Sequence, residues 1–135
     1  MFNIVDFGRS VPAQFVSSIA PILIVGAPSS ITIAQFGLLG QQGGQVLLNA
    51  TVGTQATLGQ PDLLYRIFRG NTLIFTLSAA SVQAGEFSEA SFTYVDSVAS
   101  GYFAYSLNVE MLNSTETNQA FVVGPIVFSG LSLAP

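Results

Sequence analysis

The sequence predicts an all-β protein: an antiparallel β-sandwich of jelly-roll type, about eight strands, with an extended N-terminal arm. Three observations carry that expectation. Strand-favouring Val, Ile, Thr, Phe and Tyr are abundant, while strong helix formers are scarce and 13 glycines interrupt the chain. Apolar residues alternate at period 2 from Gln45 onward. Turn signals separate the alternating segments at short intervals, as in two-sheet all-β folds.

Taken in order, residues 1–20 read as an irregular arm, apolar at Phe2, Ile4, Val5, Phe7, Val11, Phe15, Val16 and Ile19. Pro12 and Pro21 argue against regular central-strand pairing there. Residues 21–135 read as one domain. Strands are expected over 22–25 and 31–36, and the glycine-rich segment 37–44 reads as a loop. In the next strand Val46, Leu48, Ala50 and Val52 share one face, while Leu47, Asn49 and Thr51 take the other. Gly59-Gln-Pro-Asp62 marks a turn. Residues 64–69 and 72–78 form a hairpin across Gly70-Asn71, a Gly-first two-residue connection. A strand over 87–95 places Phe92 and Tyr94 on one face. Phe103, Tyr105, Leu107, Val109 and Met111 alternate without a break, the clearest strand signature in the chain. The last strand, 121–133, is interrupted at Gly124-Pro125, where a bulge or bend is expected.

Composition excludes much chemistry. The chain has 135 residues, of which 7% are charged, with no Cys, His or Trp. Its three basic residues are all arginines, so Lys is absent too, and Ser10 to Pro61 carries no charge. Disulfides, thiolate or imidazole metal sites, histidine-dependent triads, lysine Schiff bases and the phosphate-loop lysine all lack their residues. A net charge of −4 without a basic cluster opposes nucleic-acid binding. The strongest apolar run, Ile19-Ala-Pro-Ile-Leu-Ile-Val-Gly-Ala27, is too short to span a membrane and is broken by Pro21. The N-terminus has acidic Asp6 ahead of Arg9, which is not the pattern of an export signal. Synthesis in a reducing compartment is consistent with the missing cysteines.

The remaining candidate chemistry is thin. Glu86 and Glu89 form the one close acidic pair, but a spacing of three in a strand points their side chains to opposite faces, against glycosidase geometry. Asp62, Asp96 and Glu116 lie in or near expected loops, where calcium finds ligands, yet without the Asp-x-Asp-x-Asp-Gly spacing. Asn49-Ala-Thr51 and Asn113-Ser-Thr115 match the glycosylation pattern by chance in a Thr/Ser-rich chain. Arg66 and Arg69 are expected to pair with Asp62, Glu110 or another carboxylate. Tyr65, Tyr94, Tyr102 and Tyr105 offer a sugar-stacking platform, although aromatics in strands ordinarily pack in the core. The apolar arm either covers an edge of its own sheet or adds to a neighbour's, and the shortage of edge charges favours the neighbour.

Several segments resemble a known family: Val46-Leu-Leu-Asn-Ala-Thr-Val52, Leu63-Leu-Tyr-Arg-Ile-Phe-Arg-Gly-Asn-Thr-Leu-Ile-Phe75, Ala84-Gly-Glu86, Ser91-Phe-Thr-Tyr-Val-Asp96, Tyr102-Phe-Ala-Tyr-Ser-Leu-Asn-Val109 and Val123-Gly-Pro-Ile-Val-Phe-Ser-Gly130. In these the chain is similar to the small exosporium proteins of spore-forming bacteria (the exosporium protein C type), and more broadly to jelly-roll subunits of spore surface layers and endospore appendages. The resemblance implies a structural subunit made in the mother cell and deposited on the spore without export. Several appendage subunits cross-link through cysteines near an N-terminal connector, and this chain has none.

The expectation is therefore a non-enzymatic, self-associating subunit of a spore surface layer or appendage, with no cofactor and no metal. Its partners are copies of itself and, by the resemblance, other spore surface proteins. Phe2, Ile4, Val5, Phe7, Val11, Phe15, Val16 and Ile19 are its expected intersubunit contacts. The alternative is a carbohydrate- or surface-binding β-sandwich module, of viral fibre or capsid-like type, that stacks glycans on tyrosine.

Overall fold

The computed structural model describes residues 2–80, 84–113 and 117–135. Nine strands follow in order: β1 (Asn3–Ala13), β2 (Ile22–Leu23), β3 (Ile31–Gly40), β4 (Gly44–Leu58), β5 (Asp62–Arg69), β6 (Thr72–Ala80), β7 (Phe87–Val98), β8 (Gly101–Met111) and β9 (Gln119–Ala134). Sheet 1 has the order β1-β9-β4-β7, with β2 adding to β9, and sheet 2 has the order β3-β8-β5-β6. Every ladder is antiparallel. Apart from two-residue β2, the first strand pairs with the last, the second with the second-last, and so on inward to the β5–β6 hairpin. A long hairpin rolled so that its paired rungs alternate between two sheets is a jelly roll.

The N-terminus departs most from the sequence reading. Residues 3–13 are not an irregular arm but an edge strand of sheet 1, in register with β9 from Asn3↔Ala134 to Ala13↔Ile126. Pro12 is compatible because it lies on an edge strand and inside the register shift between Ser10 and Ala13. The sandwich thus includes residues that the sequence sets outside it, and the irregular connection shrinks to 14–21. The expected loop 37–44 also shrinks, because β3 continues to Gly40. Its glycines stay in the strand because aromatic rings cover them. Tyr102 lies directly over Gly37, and Phe103 lies against Gly40. The Gly70-Asn71 hairpin is as read, with Gly70 at φ +59°, which a Gly-first turn requires. β9 breaks register with β4 at Gly124-Pro125, a cis peptide, where the bend was expected.

Alternation fixes what is inside. Val46, Leu48, Ala50 and Val52 of β4 are buried, as are Tyr105, Leu107, Val109 and Met111 of β8. They meet Ile126 and Phe128 of β9 and Tyr65 and Ile67 of β5 in one core. Phe36 is central to that packing, with ring centroids 4.8 Å from Phe128 and 5.7 Å from Tyr105. It fits because Gly8 and Gly130, directly opposed on β1 and β9, leave a slot for the ring. A Cβ on Gly8 would sit 2.6 Å from Phe36 Cδ2, and one on Gly130 2.9 Å from Phe36 Cζ.

Candidate functional site

The outer face of sheet 1 is the principal candidate. Strand register sets side chains in rungs across it. Phe7, Leu131, Leu47 and Val95 form one rung over all four main strands, and Ile4 and Leu133 lie in the next rung. Six apolar side chains are thereby contiguous on a solvent face, with Ile4 73%, Phe7 59% and Val95 48% exposed. The rung on the other side is polar: Arg9, Ser129, Asn49 and Thr93, where Thr93 Oγ1 donates to Asn49 Oδ1 at 2.9 Å. Beyond it the Thr51 and Ser91 hydroxyls share a hydrogen bond of 3.2 Å. The polar rungs thus separate this apolar end from a second one at the far end of the face, where Leu23, Phe121 and Phe87 lie in one rung with Gln55 and Phe87 is 56% exposed.

The eight expected contact residues separate into two sets. Phe2, Ile4, Phe7, Phe15 and Val16 are exposed, while Val5, Val11 and Ile19 are half-buried, with Ile19 packed on the core. Val16 also lines a groove of about 420 Å³ with Ser17, Gly53, Thr54, Phe87 and Pro125. Sequence reasoning missed Leu47, Val95, Leu131 and Leu133. Leu47 falls on the strand face opposite Val46, Leu48, Ala50 and Val52, so a leucine among Asn49 and Thr51 is the available signal.

The sheet edges differ. Asp6 holds β1 to β3: its Oδ1 accepts from its neighbour Phe7 N–H at 2.8 Å, and its Oδ2 accepts from Leu39 N–H at 2.9 Å. The opposite side, β6 and β7, is joined through half-buried rings, with Phe75 5.6 Å from Phe92 and 5.2 Å from Tyr94.

Both β5 arginines take structural partners, as the sequence suggests. Arg66 pairs with buried Glu110. Arg69 Nη1 donates to both Asp96 oxygens, at 2.7 and 2.6 Å, and Tyr105 Oη donates to Asp96 Oδ2 at 2.8 Å. Arg69 also lies 5.9 Å from the Phe103 ring centroid. This cluster ties β7 of sheet 1 to β5 and β8 of sheet 2. Burial pushes the Tyr105 hydroxyl pKa up, and donation to Asp96 and the Asp96 charge raise it further. The Asp96 hydrogen bond, with that residue's charge, raises Arg69 above its usual value against the effect of burial. Burial likewise raises Tyr65, opposed by a hydrogen bond with Thr54.

That arrangement corrects the loop-calcium idea. Asp96 is an inward-facing strand residue engaged by Arg69, Asp62 begins β5, and Glu116 lies outside the described residues. Among the described residues no three acidic side chains gather into a metal-binding group. Glu86 precedes β7, and Glu89 accepts from Ser91 Oγ at 3.1 Å. Asn113 clamps the β4–β5 turn, accepting from Asp62 N–H at 2.7 Å and donating Nδ2 to Gln60 O at 3.1 Å. A glycan on that nitrogen would compete with the clamp. Of the four tyrosines, Tyr65 and Tyr105 are buried and Tyr94 half-buried; Tyr102 is 71% exposed.

Geometry and topology define a nine-stranded antiparallel sandwich of jelly-roll order. No family model matches the chain, and no curated protein matches it. Among solved structures it is similar to a chain in the structure of infectious bursal disease virus, Gx strain, with 15% identity and a TM-score of 0.43. The match covers 84% of this chain and 32% of that one, so the present chain spans about a third of its length. Among the described residues no helix is long and apolar enough to cross a membrane.

Proposed function

We propose that this chain is a non-enzymatic structural subunit that associates with copies of itself through the end of the outer face of sheet 1 that carries Phe7 and Val95. One observation carries the reading: Phe7, Leu131, Leu47 and Val95 run unbroken across the sheet, with Ile4 and Leu133 beside them. Sheets pack face to face through such rungs, and contiguous apolar surface of this kind marks contact sites. Asn3–Ala13 already occupies the edge of its own sheet, so face packing is proposed in place of the addition of a free arm. The proposed setting is a bacterial spore surface layer or appendage; support for it comes from the family resemblance of residues 46–130. Phe7→Glu and Val95→Lys, both at exposed positions, are expected to leave folding stability within about 0.5 kcal/mol. Light scattering and electron micrographs should show wild-type assemblies and largely dispersed variants. Assemblies unchanged in both variants would overturn the reading.

A second reading rests on Tyr102. Its exposed side chain runs over Gly37 beside Gln35 and Ala104, bordering a shallow groove of about 400 Å³. An exposed ring beside an amide suits a hexose face. Glycan-array binding that is lost in Tyr102→Ala would support a carbohydrate-binding module, and an array without signal would remove it.

A further inference from the structure

β6 is the outermost strand of sheet 2, and among the described residues no strand pairs with its free side. Its nine residues, Thr72-Leu-Ile-Phe-Thr-Leu-Ser-Ala-Ala80, include no charge, proline or glycine. Such an edge offers a row of unpaired N–H and C=O groups, which soluble proteins ordinarily guard with charge, proline, a bulge or a covering segment. Of these β6 has only a bulge at Ile74, where its register with β5 shifts. The other edges here are guarded in those ways. β1 carries Asp6, Arg9 and Pro12, β3 has Leu39 N–H held by Asp6, and β7 carries Glu89.

We propose that β6 pairs antiparallel with β6 of a second copy of this chain across a two-fold axis, joining two copies of sheet 2 into one eight-stranded sheet. A second copy is the occupant because a charge-free strand meets itself without setting like charges opposite each other, the arrangement that disfavours self-pairing of a charged edge. A two-fold contact requires only that the strand be complementary to itself. Thr76 is the middle residue and is exposed on the outer face, opposite Arg66 of β5. With Thr76 on the axis, it faces the partner's Thr76, and half-buried Phe75 faces the partner's Leu77. Both are favourable cross-strand pairs. β6 bulges at Ile74, so the regular pairs are those nearest the axis. Eight strands are within the usual size of an open sheet.

The inference rests on the self-association reading for the identity of the partner, but it uses a different surface, so the two can fail separately. Sedimentation equilibrium on the full chain compares wild type, Thr76→Lys, Thr76→Glu, an equimolar mixture of those two, and Phe7→Glu. Each Thr76 variant should dimerise at least tenfold more weakly, because like charges face each other on the axis, and the mixture should recover dimers. Charged variants that dimerise as wild type does, or a mixture that stays monomeric, would overturn the β6 pairing. Response to Phe7→Glu alone overturns the pairing and keeps the sheet 1 face. Response to Thr76 alone does the reverse, and a monomeric wild type overturns both. Because the chain has no cysteine, Thr76→Cys supplies a single thiol. Paired strands bring opposed Cα atoms within disulfide range. If the charged variants lose their native circular dichroism, this variant decides: oxidation should give a covalent dimer, and its absence overturns the pairing.

Discussion

The two lateral sides of the sandwich are closed by different means. On one side β1 and β3 meet at backbone level: the Phe36 ring enters the slot left by Gly8 and Gly130, and the Asp6 carboxylate takes the Leu39 N–H. On the other side β6 and β7 stay apart, bridged by Phe75, Phe92 and Tyr94 and, behind them, by the Arg69–Asp96–Tyr105 cluster. Hydrophobicity does not predict which side seals. The N-terminal strand is rich in large apolar residues, yet glycine, one carboxylate and one proline make it the finished edge. β6 reads as an ordinary strand, yet it is left open because it lacks all three.

Removing the ring that closes the first side is expected to have the largest effect. Phe36→Ala leaves the glycine slot empty beneath Phe128 and Tyr105, and should cost about 3–5 kcal/mol in urea unfolding. A loss below about 1 kcal/mol would mean the slot collapses and the contrast between sides is overstated. On the open side, Asp96→Ala takes the acceptor from both Arg69 and buried Tyr105. The expected cost is about 2 kcal/mol, below that of a fully buried pair because the Arg69 side chain keeps 26% of its surface in water.

Alkali should act on the tyrosines. Tyr65 and Tyr105 have pKa values raised above the usual tyrosine value, chiefly by burial. The unfolded chain therefore releases these protons first. Their contribution is complete below about pH 10 and falls as pH rises, by about 1.4 kcal/mol per pH unit for each tyrosine. Tyr105→Phe should remove one share of that slope in melts taken between pH 9 and 11. A slope unchanged by the substitution would place the sensitivity elsewhere.

Much of this was legible in the sequence, for identifiable reasons. A period of 2 in Val46–Val52 and Phe103–Met111 reports directly which side chains face inward, so the core strands and the β5–β6 hairpin were readable. Structural pairing of both arginines was the expectation and Glu110 was among the expected partners, but Asp96, the partner of Arg69, was not. β1 was not legible, because Pro12 and an uneven apolar pattern look irregular until the edge position and the register shifts are known. Nor was the apolar face of sheet 1, which exists only once Phe7, Leu131, Leu47 and Val95, far apart in the chain, are set in one rung. Asp96 looked like a loop carboxylate because its strand was expected to end at residue 95, one position too early to show it facing inward.

The smallest expected effect tests the seal itself. Asp6→Ala removes the acceptor for Phe7 N–H and Leu39 N–H, but Leu39 is on an exposed edge where water replaces part of the loss. The cost should be about 1 kcal/mol or less. Amide exchange is the sharper measurement. Leu39 N–H should exchange faster in the variant while the amides on the free side of β6 stay as they are, because nothing on that side depends on Asp6. If Leu39 remains protected, the close approach of Gly8 to Phe36 and Gly37 closes the edge alone, and the carboxylate is incidental. If β6 amides respond as well, the two sides are coupled through the core, and an edge freed at β3 would alter pairing at β6.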